Sequence, residues 1–159
     1  MITPEDEEVV GRQLGRPPRA IHDVGHRCPC GHPDVVTTEP RLPDGTPFPT
    51  TFYLTCPRAA SMIGTLEGSG LMKEMQARLA EDPDLAAAYR RAHESYLAFR
   101  AELGEVPEIE GVSAGGMPNR VKCLHVLAAH ALAAGPGVNP LGDEVLERLD
   151  DWWASGPCV

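Results

Sequence analysis

The sequence contains few basic residues and no long apolar segment. Lys and Arg number 14 against 23 Asp and Glu, which gives a formal net charge of −9 at pH 7. Because nucleic acids and anionic membrane surfaces repel such a charge, we expect no extensive binding to either. No apolar run approaches the ~20 residues that a membrane-spanning helix needs. We therefore expect no insertion into a membrane.

Several catalytic and targeting motifs are absent as well. The sequence has no Gly-x-Ser-x-Gly elbow, no His-Glu-x-x-His zinc pair, no dinucleotide-binding fingerprint and no Walker phosphate loop. Residues 1–8 are acidic where a secretion signal is basic and then apolar. We therefore expect a cytoplasmic protein, whose five cysteines bind a metal or react rather than form disulfides.

The composition is that of a folded domain. Of the 159 residues, 42% are hydrophobic and 23% are charged, as is typical of globular proteins. The length predicts a single domain over 1–159, with a β-rich part at 1–57 and a helical part at 58–159. We predict an α+β fold, in which a small antiparallel hairpin or sheet forms a platform packed against a mainly helical body of about five helices.

Two segments rich in β-branched and aromatic residues flank a turn. Residues 35–38 and 50–55 predict strands. The sequence Pro43-Asp44-Gly45-Thr46 between them predicts the turn of an antiparallel hairpin. A further strand is predicted over 21–26 and leads into the first cysteines.

The remaining segments predict helices. Asp82 followed by Pro83 is a strong signal for the start of a helix, and Gly104 marks its end. The predicted helices cover 5–14, 58–66, 71–80, 83–103, 119–133 and a last segment that begins at Pro140.

Three cysteines surround the predicted hairpin, and a fourth lies in a predicted helix. Closing the hairpin brings Cys28 and Cys30 opposite Cys56, while Cys123 stands near the start of the helix 119–133. Zinc prefers four tetrahedral thiolate or imidazole ligands. These four cysteines therefore predict a zinc site that joins the hairpin to a C-terminal helix. An iron–sulfur cluster is the alternative, because it also accepts all-thiolate ligation.

The short spacing between the first two cysteines leaves the ligand set open. A single proline separates Cys28 from Cys30, one residue fewer than in the usual zinc knuckle. Residues two apart in an extended segment face the same way, which permits both to hold one ion. Cys158, His26 and His32 are alternatives to Cys30. The competing interpretation is that these cysteines are reduced thiols packed as small hydrophobic side chains.

Two histidines follow Cys123 and are candidates for its surroundings. If Cys123 lies within the helix, His125 is rotated ~200° from it and projects to the other side, unless the helix starts later. His130 shares the face of Cys123 but lies ~10.5 Å further along the axis. That distance suits a group that supports a ligand or faces a substrate.

A third histidine lies on a polar face of the helix 83–103. His93 stands between Tyr89 and Tyr96, with Arg100 one turn further on. Such a face can bind a polar ligand or transfer a proton. The more common structure is a half-buried edge, in which the tyrosines pack and the histidine bonds a carbonyl group.

A glycine-rich turn precedes Cys123. Gly115 and Gly116 stand before a predicted helix whose first turn carries Arg120 and Lys122. Free N–H groups and the positive end of the helix dipole make such a turn an anion site, and they would lower the pKa of Cys123. The alternative function is therefore an enzyme that acts on an anionic or phosphorylated small molecule at this turn. The simpler interpretation is a loop-to-helix turn with solvated cations.

Two adjacent tryptophans suggest a second alternative. One ring of Trp152-Trp153 is expected to anchor in the core and the other to be partly exposed. Together with the acidic surface, this pair predicts a protein-interaction module. The sequence does not identify its partner.

Five segments of the sequence together resemble a known family. The segments are Arg12-Gln13-Leu14-Gly15-Arg16, Arg27-Cys28-Pro29, Pro40-Arg41-Leu42-Pro43-Asp44-Gly45-Thr46-Pro47-Phe48-Pro49-Thr50, Gly115-Gly116-Met117-Pro118 with Arg120-Val121-Lys122-Cys123-Leu124-His125, and Gly135-Pro136-Gly137-Val138-Asn139-Pro140. They resemble the actinobacterial family catalogued as domain of unknown function 501. The resemblance covers nearly the whole chain, but the family has no established activity, so it implies no catalytic residues.

Overall fold

A three-stranded antiparallel sheet lies beside six α-helices. The computed structural model describes residues 1–159, and its strands β1 (Ile21–Arg27), β2 (Pro33–Thr38) and β3 (Phe52–Leu54) follow the order β1-β2-β3. The helices are α1 (Pro4–Leu14), α2 (Pro57–Glu67), α3 (Leu71–Glu81), α4 (Pro83–Leu103), α5 (Leu124–Ala134) and α6 (Pro140–Glu147), with a short 3₁₀ helix at Pro107–Ile109. The α+β prediction is confirmed, with six α-helices where about five were expected. None of these helices has both the length and the apolar character that crossing a bilayer demands.

The predicted hairpin is formed by β2 and β3. Val35 pairs with Leu54 and Val36 with Tyr53, while β1 pairs antiparallel with the other edge of β2. Two strands that both run antiparallel to β2 run in the same direction as each other. The residues that follow β1 and those that follow β3 therefore lie at the same end of the sheet.

The local sequence determines where helix α4 begins and ends. The carboxylate of Asp82 accepts the backbone N–H groups of Asp84 and Leu85, and Pro83 occupies the first helical position. These contacts satisfy amides that have no partner within the helix. The helix then runs to Leu103 without a break, as predicted.

The predicted start of α5 at Asn119 is wrong. The helix begins at Leu124, and Cys123 before it has an extended backbone with φ −151° and ψ 110°. The segment upstream closes on itself, because the N–H of Lys122 bonds the carbonyl of Gly115 and the N–H of Arg120 bonds the carbonyl of Gly116, each at 2.8 Å. The Arg120 bond closes one isolated turn, but the Lys122 bond reaches past it to Gly115, so the segment closes as a loop and no helix begins at Asn119.

Helix α5 lies at the centre of the main core. Leu124, Leu127 and Ala128 are fully buried there, and the helix packs against β3, α2 and α6. A second, smaller cluster contains Cys28, Cys56, Ala59 and Trp152. The first turn of α5 is thus fixed beside α2, which matters for the side chains near Cys123.

Candidate metal centre

Three side chains with metal-binding atoms converge where α2 ends and α5 begins. Glu67 is the last residue of α2, Cys123 directly precedes α5, and His125 lies in the first turn of α5. One ligand atom from each of these residues lies within 4.8 Å of the other two, and no other set of three His, Cys, Asp or Glu side chains converges in this way. We call Glu67, Cys123 and His125 the convergent triad.

The orientation of the His125 ring is fixed by the backbone of α2. Its Nε2 atom lies 3.0 Å from the carbonyl oxygen of Ala60, and because a carbonyl only accepts, Nε2 carries the proton of this bond. The other nitrogen, Nδ1, lies 3.2 Å from Oε2 of Glu67. A histidine that binds a metal commonly donates its second N–H in this way.

The same geometry distinguishes the triad from a nucleophilic relay. In a thiol–histidine–carboxylate relay, the thiol and the carboxylate contact opposite nitrogens of the imidazole ring. Here the carbonyl of Ala60 takes one nitrogen and the carboxylate of Glu67 faces the other. Cys123 and Glu67 therefore approach the same nitrogen, Nδ1, instead of opposite ones, and three ligand atoms around one point suit a metal ion.

Glu67 also contacts the start of α5. Its Oε2 accepts the backbone N–H of Leu124 at 2.8 Å, and Leu124 is the first residue of that helix. A carboxylate at this place satisfies an amide that lacks a partner within the helix and interacts favourably with the helix dipole. Glu67 therefore has a structural role that any test of metal binding must separate from ligation.

The ionisation of Cys123 and His125 is coupled. Burial raises the pKa of the Cys123 thiol, but the hydrogen bond with His125 and the backbone N–H of Val126 outweigh it, so the pKa is lowered overall. The bond to Cys123 raises the pKa of His125 to about 9, against the effect of burial. Both shifts favour the thiolate, which is the form of cysteine that binds metals.

The predicted cysteine ligands lie in two places. Cys28 and Cys56 belong to the small second cluster, and Cys30 and Cys158 pack against it. Cys56 directly precedes α2, whereas Cys123 lies beside Glu67 at the other end of this helix, about 16 Å away along the axis. The structure therefore brings Cys28, Cys30 and Cys56 to one region but does not bring Cys123 to them.

The glycine turn does not form the helix-terminal anion site that we expected. Gly115 and Gly116 precede a loop instead of the first turn of α5. The carbonyl groups of these two glycines accept the backbone N–H groups of Lys122 and Arg120, respectively. A Cβ atom on Gly116 would lie 2.7 Å from the carbonyl oxygen of Arg120, so glycine is required for the loop to close. The side chains of Arg120 and Lys122 are exposed.

His130 is part of the core. Its ring stacks on Phe52 with centroids 5.2 Å apart and meets Tyr96 edge-on at 5.1 Å. Asn139 Nδ2 lies 3.2 Å from its Nδ1, and burial lowers the pKa of His130 to about 4. These contacts give His130 a packing role as a neutral imidazole.

The polar face of α4 binds the loops that cover it. His93 is buried, with Nδ1 2.7 Å from the hydroxyl of Ser113. The hydroxyl of Tyr96 accepts the N–H of Thr51 at 2.7 Å, and Arg100 donates to the carbonyl of Ile109 at 2.8 Å. The face is buried where the sequence predicted a half-buried edge, and His93 bonds a hydroxyl instead of the expected carbonyl group.

Sequence reasoning missed Glu67 and placed His125 outside the ligand set. Glu67 lies far from Cys123 in the sequence, and only the packing of α5 against α2 brings the two together. The rotation of ~200° between Cys123 and His125 holds only if both lie in the helix. Because Cys123 is extended, the two side chains can point towards one place.

A comparison with protein families identifies the chain. A family model described as Protein of unknown function (DUF501) matches residues 24–147. The chain belongs to this family. Comparisons with curated proteins and with solved structures give no significant match. The matched range contains the whole convergent triad and ends before Cys158.

Proposed function

We propose that this member of the DUF501 family is a metal-binding protein that holds zinc at Glu67, Cys123 and His125. The observation that carries the proposal is the convergence of a thiol, an imidazole and a carboxylate, with ligand atoms within 4.8 Å of one another. The hydrogen bond between His125 and Ala60 supports it, since this bond fixes the ring with Nδ1 directed at Glu67, and Nδ1 becomes a ligand by releasing its proton when a metal binds.

The chemistry of the three donors favours zinc over an iron–sulfur cluster. Zinc accepts sulfur from cysteine, nitrogen from histidine and oxygen from glutamate, whereas clusters are held mainly by several thiolates. The triad contains one thiolate, Cys123. A single zinc ion therefore fits these residues better.

The number of ligands favours an ion that can bind a further molecule. Structural zinc has four protein ligands, while catalytic zinc has three and keeps a fourth position for water or substrate. The side chains of Glu67 and His125 are 24% and 31% exposed, so solvent reaches the group. A zinc ion here would acidify a bound water or polarise an oxygen of a ligand.

An enzyme acting on an anionic molecule is the second candidate. Arg120 and Lys122 are exposed on the loop that leads to Cys123, and neither forms an ion pair with a carboxylate. Free cations on the loop that carries Cys123 suit an anionic substrate. This candidate depends on the zinc site.

Zinc titration of the metal-free protein tests the first proposal. The titration is followed by competition with a chromophoric chelator, for the wild type and for His125→Gln. We expect His125→Gln to bind one zinc equivalent fewer than the wild type. The control is His22→Gln, since His22 pairs with Glu39 at the surface and its loss should change nothing. Equal zinc binding by all three proteins would refute the proposal.

A further inference from the structure

Four thiols from three separate segments meet at one end of the sheet. Cys28 and Cys30 follow β1, Cys56 follows β3, and Cys158 comes from the segment after α6. Since β1 and β3 run in the same direction, their ends lie two strand spacings apart, about 10 Å. The convergent triad uses none of these four cysteines.

The C-terminal segment is held against the sheet by specific hydrogen bonds. Arg58, two residues after Cys56, donates to the carbonyl of Gly156 at 2.8 Å. Gln13 of α1 donates from Nε2 to the carbonyl of Pro33 at 2.7 Å and to Sγ of Cys158 at 3.2 Å. These contacts place Cys158 beside the thiols that follow the two strands.

Hydrogen-bond donors surround the sulfur atoms. The backbone N–H of Cys30 donates to Sγ of Cys28 at 3.4 Å, and Gln13 donates to Cys158. Trp152 packs in the same cluster, is 7% exposed, and its indole N–H has no partner. A buried donor without a partner is costly and needs an explanation. Metal-bound thiolates are acceptors for such N–H groups.

We propose that Cys28, Cys30, Cys56 and Cys158 bind a second zinc ion, which ties the C-terminal segment to the end of the sheet. Four thiolates with no open position are the ligand set of a structural zinc site. This site is separate from the convergent triad and does not depend on it.

Binding requires the thiols to move closer together. No three of the four sulfur atoms lie within 4.8 Å of one another, whereas a tetrahedral zinc ion holds each sulfur at about 2.3 Å. Residues 157–159 lie outside any helix or strand. Cys56 already contacts Cys158, and Cys28 contacts Cys30, so the approach that zinc requires is between these two pairs.

Metal analysis of purified variants tests the second site separately from the first. We expect two zinc ions per chain in the wild type, one in Cys158→Ser, one in Cys123→Ser and none in the double variant. Zinc lost from Cys158→Ser but not from Cys123→Ser would support the second site and contradict the first. A single zinc that Cys123→Ser loses and Cys158→Ser retains would overturn the second site. Iron together with sulfide in anaerobically prepared protein would also overturn it.

If Cys158→Ser does not fold, the absorption spectrum of Co²⁺ bound to Cys123→Ser tests the second site instead. Co²⁺ replaces zinc and gives thiolate-to-metal charge-transfer absorption that grows with the number of thiolates. In Cys123→Ser the four cysteines of the second site are intact, so we expect this absorption at the intensity of a four-thiolate ion. Its absence after Co²⁺ is added to Cys123→Ser would overturn the proposal.

Discussion

The Nε2 atom of His125 lies 3.0 Å from the carbonyl oxygen of Ala60. This bond joins the first turn of α5 to the first turn of α2 and leaves the other ring nitrogen facing Glu67. Because Glu67 ends α2 and Cys123 precedes α5, an ion bound by the triad would bridge these two helices. Metal binding is therefore expected to be coupled to their packing.

The first prediction concerns stability. A ligand that binds only the folded state stabilises it by about 2.7 kcal/mol at 100 times its Kd. We expect added zinc to raise the Tm of the metal-free Cys158→Ser variant, which isolates the triad, and to leave Cys158→Ser/His125→Gln unchanged. Calorimetry with and without zinc measures this. An equal rise in the Tm of both variants would show that the zinc binds at a site other than the triad.

The second prediction separates the two roles of Glu67. In Glu67→Gln the amide oxygen can still accept the N–H of Leu124, but the charge that favours zinc is gone. We expect zinc affinity to fall at least ~10-fold, while the metal-free protein keeps nearly the wild-type Tm. Glu67→Ala should lose zinc binding and also about 1 kcal/mol of stability, because the helix amide is left without its acceptor. If Glu67→Gln binds zinc as tightly as the wild type, Glu67 caps the start of α5 but is not a zinc ligand.

The third prediction concerns the pH dependence of stability. Burial lowers the pKa of His130 to about 4, against an unfolded value of about 6.5. Below pH 6.5 the unfolded state binds the proton and the folded state does not, so stability is full above pH 6.5 and falls as the pH drops towards 4. From pH 7 to pH 5 the loss from this group is about 2 kcal/mol.

The pH effect of His130 is measured as a difference between proteins. Urea unfolding of the wild type and of His130→Gln is compared at pH 7 and pH 5. We expect the wild type to lose more free energy of unfolding over this range than the variant does. Subtracting the change in the variant from the change in the wild type cancels the contributions of other titrating groups. One such group is His26 beside Asp34, whose pKa is raised and whose effect on stability therefore has the opposite sign. Identical pH slopes would show that His130 does not contribute.

The fourth prediction concerns the contact between α5 and α6. A Cβ atom on Gly142 would lie 2.2 Å from the carbonyl oxygen of Leu127, so Gly142→Ala forces the two helices apart. We expect it to cost about 1–3 kcal/mol. The control is Gly64→Ala in α2, where nothing lies within 4 Å and the better helix propensity should stabilise by up to about 1 kcal/mol. Chemical denaturation compares them, and an equal effect of both would contradict this packing.

The fifth prediction tests the anionic ligand. If Arg120 helps to hold an anion near the zinc site, inorganic phosphate should raise the Tm of the zinc-loaded protein, and Arg120→Ala should abolish the rise. Arg12→Ala is the control, because Arg12 is also exposed but lies on α1. A phosphate effect that persists in Arg120→Ala, or none in the wild type, would count against this second candidate.

The sequence predicts the fold where local chemistry determines it. The turn at 43–46 and the strands on both sides give the hairpin, and Asp82 with Pro83 gives the start of α4. The sequence predicts the start of α5 five residues too early, because in the structure the carbonyl groups of Gly115 and Gly116 close a loop. That pairing depends on the folded loop and has no signature in helix propensity.

The candidate site was only partly predictable. Cys123 stands out because few thiols occur and basic residues precede it. Glu67 is one of 23 acidic residues, and nothing in its neighbourhood marks it before α2 packs beside α5. Cys158 was an alternative ligand in the sequence, and its place beside the strand ends follows from contacts made by Gln13 and Arg58.

Anomalous X-ray scattering at the zinc edge, from crystals of protein loaded with zinc, tests the central claim most directly. We predict an anomalous peak bonded to Sγ of Cys123, Nδ1 of His125 and a carboxylate oxygen of Glu67, at the ~2.0–2.3 Å that zinc requires. Zinc-loaded crystals with no peak at these three residues, and with Glu67 bonded only to Leu124, would contradict it.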